Sequence, residues 1–181
     1  MKVTETKLQG CYIIESTVFE DNRGCFYESF NAASFLKHTN QKVNFVQDNE
    51  SYSTKGVLRG LHYQRGEYAQ AKLVRVSEGT VLDIVVDIRK ESKTFGEHFS
   101  IELSSENKKQ LFIPRGFAHG FIVLSESATF FYKCDNYYNK ESEGGIIYND
   151  TLLQIDWKLE ASEVVISEKD TQLPTFENCL L

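Results

Sequence analysis

The sequence predicts a mainly β protein, an antiparallel sandwich or jelly-roll barrel with a few short helices. Two observations carry this. Short runs of strand formers recur at regular spacing between turns, and no long helical period appears among them. Residues 80–89 give the strongest alternation, with Val81, Asp83, Val85, Asp87 and Arg89 opposing Leu82, Ile84, Val86 and Ile88. At 181 residues the chain fits one domain, 1–181, with enough length to bury a sizeable core.

Taken in order, residues 11–19 predict a strand, Glu20 to Gly24 a turn, and Cys25 to Phe30 a second strand. Asn31 is placed to cap a short helix over 32–38, where Ala32, Phe35 and Leu36 make an apolar side. A strand over 43–53 carries Gln47, Asp48 and Asn49, and another follows over 56–64. Arg65 to Tyr68 is a turn, and 70–77 alternates with Lys72 on one side. Beyond 80–89, four short strands are predicted over 97–103, 109–113, 120–125 and 128–135. Trp157 belongs to a C-terminal segment packed on the barrel, with Ser167 to Asp170 as a polar loop. There is no internal repeat and no low-complexity stretch.

Composition narrows the function. A net charge of −6 argues against a general nucleic-acid binder but leaves room for a local basic pocket that takes a small anion. The four cysteines are scattered with no CxxC pair, which suits free thiols in a reducing compartment better than a disulfide framework or zinc site. No apolar run approaches membrane-spanning length, and the first residues lack an apolar signal region. These features predict a soluble cytoplasmic protein with no membrane partner.

Two stretches carry the chemistry. In GVLRGLHYQ (56–64), Gly60, His62 and Gln64 share one face by alternation, with Arg59 on the other or turned by a bulge at Gly60. An Arg and a His in an apolar strand are costly unless partnered. The second stretch is FIPRGFAHGF (112–121). Its Pro114, Gly116 and His119 resemble the second cupin motif, and His62 sits where the first would place a histidine. Gln64 replaces the first motif's second histidine, and His38 and His98 lie far from either motif. The cupin jelly-roll resemblance therefore comes without a metal site.

A closer resemblance covers about residues 3 to 174. The segment FxDxRGxFxExF at 19–30, Gln47-Asp48-Asn49, GVLRGLHYQ, QAKLVR at 70–75, IPRGFAHGF, FYKC at 131–134 and SEKD at 167–170 resemble the dTDP-4-dehydrorhamnose 3,5-epimerase family, in the family's order. The implied substrate is a dTDP-linked 4-keto-6-deoxy sugar, whose carbons 3 and 5 flank the ketone. Loss of either proton gives an enolate, so inversion needs a base on one face, an acid on the other and a stabiliser for the oxyanion. The resemblance implies His62 as base, Asp170 as its orienting carboxylate, Lys72 beside the oxyanion and Tyr132 as the opposing acid. His119 would hydrogen-bond near the keto oxygen. Arg59 offers a bidentate fork for pyrophosphate. By resemblance Arg23, Glu28, Gln47, Asp48 and Asn49 complete the dTDP site, and Glu143 and Lys169 contact substrate. Tyr138 is a candidate to stack on thymine, and Asn136-Tyr137-Tyr138 is equally a strand-edge aromatic cluster. No cofactor is implied. A homodimer is, with Arg23 reaching the neighbouring subunit's site and the N-terminal strand joining its sheet.

Singly, these residues have plainer explanations. Tyr132 in an aromatic strand suits a core position, Lys72 a solvated side chain, Asp170 a turn cap and His119 a satisfied structural histidine. The competing functions are a single-carbon epimerase, a 3,4-ketoisomerase on the same scaffold, and a sugar-binding cupin. The last has no use for a His–Asp pair opposed by a Tyr.

Overall fold

The computed structural model describes residues 1–180. In chain order the strands are β1 (Lys2–Glu5), β2 (Tyr12–Glu15), β3 (Val18–Asp21) and β4 (Gly24–Tyr27). After helix α1 (Ala32–Thr39) come β5 (Gln47–Thr54), β6 (Val57–Gln64), β7 (Lys72–Glu78), β8 (Thr80–Asp87) and β9 (His98–Ser104). Then follow β10 (Lys109–Ile113), β11 (Phe117–Val123), β12 (Ser127–Cys134), β13 (Glu143–Gly145), β14 (Val165–Ile166) and the one-turn helix α2 (Glu168–Thr171). One sheet runs β1-β2-β10-β7-β12-β5, and the other runs β13-β6-β11-β8-β9 with β14 added to β6. The sheets face each other without closing, a cupin-type jelly-roll sandwich.

Both faces of each sheet carry buried apolar residues. Between the sheets lie Val74, Val76, Leu111, Ile113 and Phe130 from one, with Val81, Val85, Leu103, Phe117, Phe121 and Val123 from the other. The outer face of the β6-β11-β8 sheet carries Leu58, Leu61, Leu82, Ile84 and Ile122, covered by the C-terminal segment through Ile146, Leu153 and Trp157. The outer face of the first sheet carries Ile14, Leu73 and Phe112, covered by α1 through Phe35. The alternation over 80–89 is thus a strand with apolar residues on both faces. Asp83 and Asp87 are buried on its inner side.

Asn31 caps α1, accepting from the Ser34 backbone at 3.0 Å. Trp157 is buried and donates to the Tyr148 carbonyl. Other expectations need correction. The strand expected over 11–19 is two, because the chain leaves the first sheet after Glu15 to form the β3–β4 hairpin. The strand expected from residue 43 begins at Gln47, since Val43 and Phe45 instead pack into the cluster under α1. The SEKD segment is a helical turn rather than a loop, because the Ser167 hydroxyl accepts from the Asp170 backbone.

Of the two placements expected for Arg59, the bulge at Gly60 is the one found, and it builds the site. On β11, His119 opposes His62 but Phe121 opposes Arg59, so two steps on β11 face three on β6. The extra residue flips the strand's parity. Arg59 and His62 consequently line one cleft while Leu58, Leu61 and Tyr63 share the outer core. Only glycine fits at this bulge: Gly60 has φ +129°, and a Cβ there would lie 2.5 Å from the Gly120 Cα.

Candidate active site

At one end of the sandwich a cleft of about 600 Å³ opens between the sheets. Strand β6 contributes Arg59 and His62, and β11 contributes His119; facing them are Lys72 from β7, Tyr132 from β12 and Asn49 from β5. A second cleft of about 290 Å³ shares Asn49, His62, Lys72 and Tyr132 with the first. It adds Gln47, Gln64, Gln70, Tyr138 and Glu143. All six of these polar positions in the first cleft are thus strand residues, and strand scaffolds hold side chains tightly.

His62 Nε2 lies 2.7 Å from Asp170 Oδ1, a pair formed across 108 residues. The reach is local in space because β14 runs parallel to β6, with Val165 opposite Val57 and Ile166 opposite Leu58. The Ser167-capped turn then drops Asp170 beside His62, where its Oδ2 also accepts from the Gly60 backbone at 3.5 Å. Burial pushes the Asp170 carboxyl up, but the hydrogen bond and charge of His62 outweigh it, and the group lies below the usual carboxylate range. A carboxylate accepting at Nε2 leaves Nδ1 as the nitrogen free to take a proton.

Tyr132 stands on the opposite sheet. Burial raises its pKa above that of an ordinary tyrosine, Cys134 adds to this and Arg59 opposes it, so its hydroxyl keeps its proton. Lys72 is half-buried, with its ammonium 5.8 Å from the Tyr132 ring centre. Desolvation holds its pKa below the lysine range, and Cys134, Asp83 and Glu143 restore it only in part. Arg59 is oriented by Ser53, its Nε donating to the hydroxyl at 3.2 Å. Among the described residues it has no carboxylate partner, which leaves its terminal nitrogens for an anion.

Around the second cleft, Gln47 donates to Asn49 and accepts from the Tyr138 backbone. The Tyr138 hydroxyl donates to Glu143, and Lys169 holds both Glu143 oxygens at 2.8 Å. Burial raises the Glu143 carboxyl, yet these two donors bring it below its ordinary range. Three of the expected ligand residues lie outside both clefts of this chain. Asp48 points to the outer face and pairs with Lys133, Glu28 accepts from Asn31, and Arg23 pairs with Asp21 at the tip of the β3–β4 hairpin. Among the described residues no group of three or more His, Cys, Asp and Glu side chains is arranged to hold a metal ion.

Asp83 is the functional candidate that sequence patterns did not single out. It is fully buried, with Oδ2 at 2.8 Å from His119 Nε2. The available signal was a carboxylate inside the most apolar strand of the chain.

This fold and cleft define a cupin-type isomerase. The family model for dTDP-4-dehydrorhamnose 3,5-epimerase matches residues 5–178. A relative of that name from Escherichia coli (strain K12) is 51% identical over 180 residues, covering 99% of this chain and 97% of its own length. The crystal structure of such an epimerase from Elizabethkingia anophelis NUHP1 superposes with a TM-score of 0.95 at 57% identity, covering 98% of this chain and 97% of that one. A dTDP-6-deoxy-D-glucose-3,5-epimerase from Legionella pneumophila, solved with dTDP-4-keto-L-rhamnose, gives 0.94 at 48% identity and covers 98% and 93%. The chain belongs to the dTDP-4-dehydrorhamnose 3,5-epimerase family. No helix is long and apolar enough to cross a membrane among the described residues.

Proposed function

We propose that the protein converts dTDP-4-dehydro-6-deoxy-D-glucose to dTDP-4-dehydro-L-rhamnose by inverting carbons 3 and 5, without a cofactor, on the route to dTDP-L-rhamnose. The observation that carries the reading is the placement of His62 and Tyr132 on facing sheets of one cleft, with Lys72 beside them. His62, oriented by Asp170, takes the proton next to the ketone through Nδ1. Lys72 donates toward the enolate oxygen as charge develops, the kind of interaction that contributes most in such reactions. Tyr132, kept protonated by burial, returns a proton from the opposite face. Inversion at a carbon requires this two-sided arrangement, whereas binding alone requires neither a base nor an acid.

Arg59 takes the diphosphate, and Gln47, Asn49, Tyr138, Glu143 and Lys169 line or flank the nucleotide and sugar positions. Arg23, Glu28 and Asp48 complete the dTDP site in a homodimer, where the hairpin of one subunit reaches the cleft of the other. The exposure of Phe19 and Phe26 on that hairpin supports such a contact. The working compartment is the cytoplasm, in keeping with the free thiols.

Proton NMR of dTDP-4-keto-6-deoxyglucose with the enzyme in deuterated water tests the reading. Deuterium entering at both carbons, with the rhamno product trapped by a reductase, is the expected result. Exchange at one carbon alone would assign a single-carbon epimerase, and exchange at neither would overturn the substrate.

A further inference from the structure

Asp83 interrupts the inner face of β8 in the centre of the sandwich, with no exposed surface. His119 opposes Val85 and Phe121 opposes Asp83, so Asp83 and His119 are diagonal neighbours on one face. Their contact uses only one carboxylate oxygen. The other, Oδ1, is buried with no hydrogen-bond partner among the described residues. A buried polar atom left unpaired costs stability, and such atoms persist where function holds them.

His119 Nε2 and Asp83 Oδ2 share one proton, and a carboxylate without a proton only accepts hydrogen bonds, an arrangement that would put the proton on Nε2. The second ring nitrogen, Nδ1, has no protein partner among the described residues, and the ring lines the cleft. We infer that Asp83 is a positioning residue that locks His119 as its Nε2–H tautomer, so that His119 offers the cleft a hydrogen-bond acceptor. That acceptor takes a hydroxyl of the 4-keto sugar, and donation to the ketone oxygen falls to Lys72 alone. This deepens the function proposed above and rests on it.

Surroundings agree with a neutral imidazole. Burial disfavours its charged form, Asp83 offsets this only in part, and the charges of Lys72 and His62 act in the same direction as burial. Phe130 packs against the ring, with centres 6.0 Å apart and planes 27° from parallel, which fixes its orientation.

The test begins on the unaltered protein. Long-range proton–nitrogen NMR of the ¹⁵N-labelled enzyme at neutral pH should give His119 as one neutral tautomer protonated at Nε2. An Nδ1–H tautomer or an imidazolium would overturn the inference. Asp83→Asn should mix the tautomers and lower kcat by about ten-fold or more, with KM changed by less than about three-fold. In a His119→Gln background the same substitution should cost less than about two-fold further, because its route of action is already gone. Costs that multiply fully would show that Asp83 acts by another path and overturn the assignment. If Asp83→Asn does not fold, the tautomer in the unaltered enzyme still decides. An Nε2–H tautomer in an enzyme inactive on the dTDP sugar would refute the substrate reading and leave the Asp83–His119 lock standing.

Discussion

Two His–Asp pairs sit in one sandwich with nearly equal separations, 2.7 Å for His62–Asp170 and 2.8 Å for His119–Asp83. Their burial differs. The side chain of His62 is 32% exposed against 8% for His119, and Asp170 retains 6% against none for Asp83. A histidine open to the cleft can gain and lose a proton with substrate at modest cost. One sealed against Phe130 and a buried carboxylate is held in one state and serves as a fixed point of recognition. In the proposed reading the same residue pair transfers a proton in one place and orients in another, and solvation decides which.

His62→Ala should break the first pair outright. Proton exchange at carbons 3 and 5 is expected to fall by about 10³-fold, with dTDP affinity by calorimetry within about three-fold. Retained turnover would move the base elsewhere. Asp170→Asn leaves the base in place but removes the carboxylate that sets its tautomer, and a loss of kcat of about 10²-fold is expected. That loss should exceed the loss from Asp83→Asn, because Asp170 supports the group proposed as the base. Arg59→Ala should act on binding, raising KM by about ten-fold while kcat stays within about three-fold.

Asp87 sharpens the comparison from the structural side. It shares the inner face of β8 with Asp83 and is equally buried, yet its oxygens are fully engaged. Arg89, Ser92 and Thr94 all donate to it. Burial raises its pKa, but these donors outweigh burial and bring it from 3.8 to about 2. A depressed folded value means the stabilisation is complete above the unfolded value and disappears as pH falls through the folded one. Asp87 should thus contribute about 2 kcal/mol at neutral pH, lost between about pH 4 and pH 2. Asp87→Asn should lower the thermal midpoint and flatten acid unfolding in that window, with kcat unchanged. A kcat effect would place Asp87 in the site.

Much of this was legible in the chain. The capped helix after Asn31, the strand over 80–89 and the placement of Trp157 follow from cap chemistry and alternation, which are local. Arg59 and His62 could be singled out because polar residues in apolar strands demand partners, whereas Lys72 and Tyr132 were marked by the family resemblance alone. Alternation left open whether Arg59 faces away from His62 or is turned by a bulge at Gly60, since the choice depends on Gly120 lying on a strand some sixty residues away. The Asp170 turn likewise needs β14 docked along β6 before its carboxylate has a partner. Asp83 was visible as an odd residue, but its partner depends on the diagonal register of β8 with β11.

Proton transfer from opposite faces is tested most directly by Tyr132→Phe in deuterated water. His62 should still wash deuterium into carbons 3 and 5, while the starting configuration survives and the rhamno product fails to accumulate. Full inversion by the Phe variant would remove Tyr132 as the acid, and complete loss of exchange would mean that removal and return of the proton are not divided between His62 and Tyr132.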